Sequence, residues 1–250
     1  MSLRGTGQGG TLARLWETVE VLGSAGMLNP SFMINLQKGI KKWGSTPAGG
    51  FWASAQRRPD DIGLIDEAGP PMTFREVDQQ SNAIANGLAA NGVKTGDGVS
   101  LFARNHRGFV LSMVALNKLG ADTLLLNTGF AAPQLAEVVS REGSQVVLYD
   151  EEFAAIVEKG APDKKRFVTY GSGPLGDATI FDLAGRNSTS EPAAPSRHGR
   201  TTILTSGTTG TPKGAQRSVK SSSLDTFIGL FGRMPLCVGY KTFEIGRAHV

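Results

Sequence analysis

The chain has 250 residues, 40% of them hydrophobic and 19% charged, and a formal net charge of +4. That suits one sizeable core and is too weakly basic to indicate a nucleic-acid partner. A single cysteine, Cys237, excludes an intrachain disulfide, and three scattered histidines, His106, His198 and His249, cannot build a dense Cys/His metal cluster.

No run approaches the roughly 18 apolar residues of a membrane span, and the glycine-rich start lacks the apolar stretch of a secretory signal. A reducing, cytoplasmic setting is the expectation. Residues 1–46 read as a helical N-terminal extension. Leu12, Leu15, Trp16, Val19 and Leu22 recur at helical spacing until Asn29-Pro30 breaks the pattern, and Phe32, Ile34, Leu36 and Ile40 then lead into Lys38, Lys41 and Lys42. Such a face can pack on its own domain, which is the expected outcome, or make peripheral contact with a membrane through residues 11–43.

From residue 47 strands and helices alternate. Ile62–Asp66 and Met72–Phe74 read as short strands around the turn Ala68-Gly69-Pro70-Pro71. Thr73 and Glu76 fit a capping box opening a helix whose apolar side carries Val77, Ile84 and Leu88, and Gly92 closes it. Val99–Ala103 is a strand, Phe109–Leu119 a helix and Thr123–Leu126 a buried strand; Pro133 sits in the first turn of a helix bearing Leu135, Val138 and Val139. Further strands are expected at Val146–Tyr149, Phe167–Tyr170 and Thr202–Leu204. This rhythm predicts a layered α/β fold, with helices flanking a largely parallel sheet. Residues 171–200, rich in Gly, Pro, Ser, Thr and Asn, read as a surface connection.

The most informative segment follows. An apolar strand end, Ile203-Leu204, runs into Thr205, Ser206, Gly207, Thr208, Thr209, Gly210, Thr211, Pro212 and Lys213. The glycines let backbone N–H groups converge, the hydroxyls add donors, and Lys213 supplies a compact positive charge. A polyphosphate needs such a lining. A P-loop is excluded by spacing, because Pro212 stands where its second glycine belongs and Gly214, not Ser or Thr, follows the lysine. A nucleophile elbow is excluded because Leu204 replaces its first glycine. A flexible linker seldom follows a buried strand directly and ends in Thr-Pro-Lys-Gly.

Leu204-Thr-Ser-Gly-Thr-Thr-Gly-Thr-Pro-Lys-Gly214 resembles, almost letter for letter, the phosphate-binding signature of the adenylate-forming superfamily of AMP-dependent synthetases and ligases. Thr73-Phe-Arg-Glu-Val77 resembles that family's T-Y-x-E-L opening, and Gly96-Asp97-Gly98-Val99 its G-D-x-V strand entry. Lys118-Leu-Gly-Ala121 with Leu126-Asn127 resembles its K-x-G-A and N-P segments, with Thr128 in place of the usual proline. The similarity spans residues 47–243, a partial AMP-binding domain, and in detail favours bacterial long-chain fatty acyl-CoA synthetases.

The resemblance implies ATP-dependent activation of a fatty acid to an acyl-adenylate and then to a coenzyme A thioester, with ATP, Mg²⁺ and coenzyme A as the small-molecule requirements. Residues 205–213 would bind the ATP phosphates. The family's remaining catalytic groups lie downstream, so the isolated chain is expected to be inactive, and catalytic residues stay unassigned. An aryl-CoA ligase, an amino-acid adenylation domain and a non-catalytic nucleotide-binding protein are the rival readings. His106, lacking a partner in the sequence, is expected to serve the strand-to-helix turn rather than catalysis, and Cys237 to be a small buried hydrophobe. Residues 244–250, Glu-Ile-Gly-Arg-Ala-His-Val, depart from the family pattern and are expected to be a non-native tail.

Overall fold

The computed structural model describes residues 30–205 and 213–216. Its elements run α1 (Pro30–Trp43), α2 (Pro47–Arg57), β1 (Ile62–Leu64), β2 (Met72–Thr73), α3 (Phe74–Ala90), β3 (Gly98–Phe102), α4 (Arg107–Leu119), β4 (Asp122–Leu125), α5 (Ala132–Arg141) and β5 (Val146–Asp150). After a 3₁₀ turn at Glu151–Phe153 come α6 (Ala154–Gly160), β6 (Lys165–Tyr170), α7 (Ile180–Arg186), β7 (Thr201–Thr205) and β8 (Lys213–Gln216).

Five of these strands pair in parallel in the order β6-β5-β3-β4-β7, and β8 adds an antiparallel edge beside β7. The central strands read as nearly continuous apolar runs because both of their faces are covered. On one side Val99, Leu101, Val146, Leu148 and Phe167 meet Phe51, Val77, Ile84, Leu88, Leu111, Leu116 and Ile180 from α2, α3, α4 and α7. On the other side Phe102, Leu124, Val147, Tyr149 and Val168 meet Leu135, Val138, Val139 and Val157 from α5 and α6. Each large aliphatic or aromatic side chain buried this way contributes about 1.5–3 kcal/mol. The expected layered α/β fold is therefore present, with its largely parallel sheet.

Local signals act where the sequence places them. The Thr73 hydroxyl accepts from the Glu76 N–H at 3.2 Å while the Glu76 carboxylate accepts from the Thr73 N–H at 2.7 Å, the two halves of a capping box. The helix opened there closes at Ala90, with Asn91 as its C-cap and Gly92 just beyond at φ +88°. A helix that the sequence does not advertise is α2. It contains Gly49 and Gly50, poor helix formers, and exists because α1 crosses it at backbone distance: a Cβ on Gly39 would lie 2.6 Å from the Gly49 carbonyl oxygen. Trp43 and Phe51 join the same core as α3 and α4.

The connection 171–200 lies on the surface, as expected, but it contains α7 and is strapped down. The Asn82 and Asn86 side-chain amides donate to the backbone carbonyls of Thr189, Ser188 and Ser190 at 2.8–3.1 Å. The Glu191 carboxylate accepts from the Trp52 indole at 2.5 Å and pairs with Lys42.

Candidate nucleotide-phosphate site

The helices that follow β3 and β4, α4 and α5, pack on opposite sides of the sheet, so a crevice opens beyond the carboxyl ends of these two neighbouring strands. Open α/β sheets bind ligands at such a switch point. β7 lies beside β4, in the register Thr123↔Thr201, Leu124↔Thr202 and Leu125↔Ile203, and its carboxyl end shares that edge.

The hydroxyl- and glycine-rich segment starts there. Thr205 ends β7, Lys213 begins β8, and the two residues are direct ladder partners, followed by Leu204↔Gly214, Ile203↔Ala215 and Thr202↔Gln216. The two ends of the candidate cradle are thus brought face to face by the backbone. Ser206, Gly207, Thr208, Thr209, Gly210, Thr211 and Pro212 lie outside the described residues, as do Cys237 and residues 244–250. Strand β8 itself was not legible in Lys-Gly-Ala-Gln, which has no alternation; it is made by pairing back onto β7.

Around the same rim the loops are held by a carboxylate. Asp150, at the end of β5 and 2% exposed, accepts from the Arg104 N–H at 2.7 Å, from His106 Nε2 at 2.9 Å and from the Thr169 hydroxyl. His106 Nδ1 accepts from the N–H groups of Gly108 and Phe109 at 3.0 and 3.4 Å and so caps α4, which makes Nε2 the protonated nitrogen. Its ring packs 4.9 Å from that of Tyr170. The histidine is therefore engaged at every polar atom in orienting the strand-to-helix turn, as the sequence suggested. Arg104 lies over this corner in a two-point ion pair with Glu152 at 2.6 and 2.8 Å. After β4, the Asn127 side-chain oxygen accepts from the Gly129 N–H at 2.9 Å and shapes the next loop.

Among the described residues no group of three or more His, Cys, Asp or Glu side chains is placed to hold a metal ion, so none is assigned to Mg²⁺. No described helix is long and apolar enough to cross a membrane.

At the opposite end of β7 lies an arrangement that sequence reasoning missed. Asp122 receives Arg197 Nη1 and Nη2 at 3.0 and 2.8 Å, the Arg200 N–H at 2.8 Å and Arg200 Nη2 at 3.1 Å. Burial favours the neutral acid, but the hydrogen bonds from Arg197 and Arg200 and the Arg197 charge outweigh it and hold the carboxyl at about 2. The partners are more than 70 residues apart in sequence, and no motif announces them.

An open α/β sheet with this switch point, carrying a Thr/Ser/Gly/Lys segment on the strand beside it, falls in the class of α/β domains that take their ligands at the carboxyl ends of the strands. The chain belongs to the AMP-binding enzyme family, whose sequence profile matches residues 51–231. It is 33% identical over 178 residues to long-chain fatty acid transport protein 1 of Bos taurus, covering 66% of this chain and 28% of that protein. It is 30% identical over 154 residues to the long-chain-fatty-acid–CoA ligase FadD13 of Mycobacterium tuberculosis, covering 60% of this chain and 30% of that enzyme. Among solved structures, the anthranilate CoA ligase AuaEII in complex with anthranoyl-AMP superposes with a TM-score of 0.63 at 26% identity, over 68% of this chain and 34% of that one. The chain spans less than a third of the length of these curated relatives.

Proposed function

We propose that this chain provides the phosphate-gripping part of an enzyme that activates a fatty acid with ATP. In that reaction the substrate carboxylate attacks the α-phosphorus, an acyl–oxygen–phosphorus link forms, and the bond to the bridging oxygen breaks to release pyrophosphate. The thiol of coenzyme A then attacks the acyl carbon and AMP departs. Both reactants of the first step are anions and the leaving group gains charge, so the protein's task is to position and neutralise. Thr205 to Lys213 would hold the β- and γ-phosphates, with backbone N–H groups and hydroxyls donating and the Lys213 ammonium offsetting the charge on departing pyrophosphate. Mg²⁺ would arrive with the nucleotide and share that load.

The observation that carries this reading is the eleven-residue signature set between two strands whose ends, Thr205 and Lys213, the ladder pairs. The fatty-acid relatives support the acyl substrate. The aryl-ligase structure favours a second reading, activation of an aromatic acid.

Acid-dependent ATP–pyrophosphate exchange in an enzyme that carries this whole sequence separates the two. Long-chain acids should drive exchange and benzoates should not, and the Lys213→Ala form should be slower by about a hundredfold, the usual loss for one transition-state donor. Exchange unchanged by Lys213→Ala would remove the assigned role.

For location, the proposal is a cytoplasmic protein, with peripheral lipid contact through α1 as the alternative to that helix serving only to pack on its own domain. α1 buries Leu36 and Trp43 and turns Met33, Ile34, Lys38 and Lys41 outward, a face suited to an anionic surface. Flotation with anionic vesicles that is unaffected by Ile34→Glu would exclude this face.

A further inference from the structure

We infer that Asp122 is a positioning residue for the phosphate segment, fixing where β7 enters the sheet and hence where its far end places Thr205, the first residue of that segment. This rests on the phosphate-binding reading of that segment.

Strand register is ordinarily set by the alternation of buried and exposed side chains. β7 has little of it. Thr201 and Thr202 are half-buried, Ile203 is 43% exposed, and Leu204 alone is buried among residues 201–204. Beside the start of the strand lies a polar cavity of about 220 Å³ lined in part by Asp122, Thr202 and Arg200, so apolar packing does not hold the entry there either. What does hold it is polar and specific. The Asp122 carboxylate binds Arg197 in a two-point pair and takes the Arg200 N–H, while the Thr123 N–H donates to the Arg200 carbonyl at 2.7 Å. A carboxylate and a backbone ladder thus pin the same residue from two sides, one position before β7 begins.

The fit is close. The backbone at Gly199 passes so near the Ala121 carbonyl that a side chain there has no room, and Gly120, at φ +68°, lies against the Arg197 carbonyl and Pro195. Slipping β7 by one residue would have to break the arginine pair and drive Arg200 or His198 into the space only Gly199 fits. Asp122 therefore couples the strap to the loop: with the clamp intact, the five residues of β7 place Thr205 at a fixed height beside β4.

The test is hydrogen exchange together with nucleotide binding on the full chain. Peptides covering 201–205 and 213–216 are followed in the wild type, Asp122→Asn and Arg197→Lys, with the β5 peptide 146–150 as internal reference, and Mg·ATP and Mg·tripolyphosphate affinity is measured for each. Arg197→Lys, at a side chain 45% exposed, keeps the charge and loses the two-point geometry. The expected result is about tenfold faster exchange over 201–205 in Asp122→Asn, a smaller rise in Arg197→Lys, no change in β5, and about threefold to tenfold weaker binding of both ligands. Unchanged exchange over 201–205, or an equal rise in β5, would overturn the inference, as would full-strength tripolyphosphate binding alongside faster exchange. A wild type that binds neither ligand would instead defeat the phosphate-binding reading, while the exchange pattern would still report on the clamp.

Discussion

The Lys118 ammonium, fully buried, lies 2.8 Å from Asp78 Oδ1 across the seam between α4 and α3. It also donates to the Asp78 carbonyl at 3.2 Å, the Ser81 hydroxyl at 2.9 Å and the Asn82 amide oxygen at 2.6 Å. Burial lowers the Lys118 pKa and Asp78 pulls it back up. Removing one member of such a set leaves the rest buried and unpaired, which costs about 3–5 kcal/mol. Lys118→Met should therefore destabilise by that amount in urea denaturation, although methionine fills most of the volume. A loss below about 1 kcal/mol would mean that the lysine serves something other than the helix seam.

Asp150 and His106 should differ in rank. Asp150→Ala orphans three donors, the Arg104 N–H, His106 Nε2–H and the Thr169 hydroxyl, each worth about 1–3 kcal/mol when buried and unpaired. His106→Ala removes a cap worth about 1 kcal/mol and one bond to Asp150, and His106→Asn should restore most of the capping share. Thermal denaturation of the three variants should give the order Asp150→Ala, His106→Ala, His106→Asn from worst to mildest. Were His106→Ala to abolish pyrophosphate exchange in an enzyme that carries this whole sequence while leaving stability intact, the histidine would have to be moved into the catalytic machinery.

Much of this architecture was legible in the residues. Val99, Leu101, Val146, Leu148 and Phe167 mark buried parallel strands, and Thr73 with Glu76 marks the start of α3, because these signals depend on neighbours close in sequence. What was hidden depends on distant partners. α2 looks like a loop because its glycines serve a helix crossing with α1, β8 looks like a turn because its strand character comes from β7, and Asp122 looks like any strand-edge acid until Arg197 and Arg200 arrive. Of the candidate site, the sequence marked the phosphate segment but not the clamp at the other end of its strand.

Two glycines with the same backbone angle provide a contrast. Gly120 and Gly143 both sit at φ +68°, but a Cβ at Gly143 meets nothing within 4 Å, whereas one at Gly120 meets the Arg197 carbonyl and comes within 2.7 Å of Pro195 Cβ. Gly143→Ala should cost about 1 kcal/mol, the conformational penalty alone. Gly120→Ala should cost clearly more, because the strap must move as well, and exchange over 197–205 should rise only in that variant. Equal costs in chemical denaturation would show that the strap does not bear on Gly120.

Acid should reach the clamp late. The Asp122 carboxyl is held at about 2 against an ordinary 3.8, with burial opposing and Arg197 and Arg200 prevailing. The folded state thus prefers the ionised form more strongly than the unfolded chain does, so the contribution is complete above about pH 4 and drains away as the pH falls toward 2. Because the side chain is 20% exposed and its arginines 45% and 68%, solvent screening reduces the gain to on the order of 1 kcal/mol. Asp66 contributes in the same direction: burial opposes ionisation, but hydrogen bonds and charge from Arg107 hold it below the usual carboxylate range. The informative quantity is therefore the difference in unfolding free energy between wild type and Asp122→Asn, from urea melts at a series of pH values. That gap should be constant from pH 7 to about pH 4.5 and narrow below it, since protonating Asp122 makes the wild type resemble the amide. A gap that persists unchanged at pH 2.5 would mean that the carboxylate's charge contributes nothing and that its geometry alone secures β7.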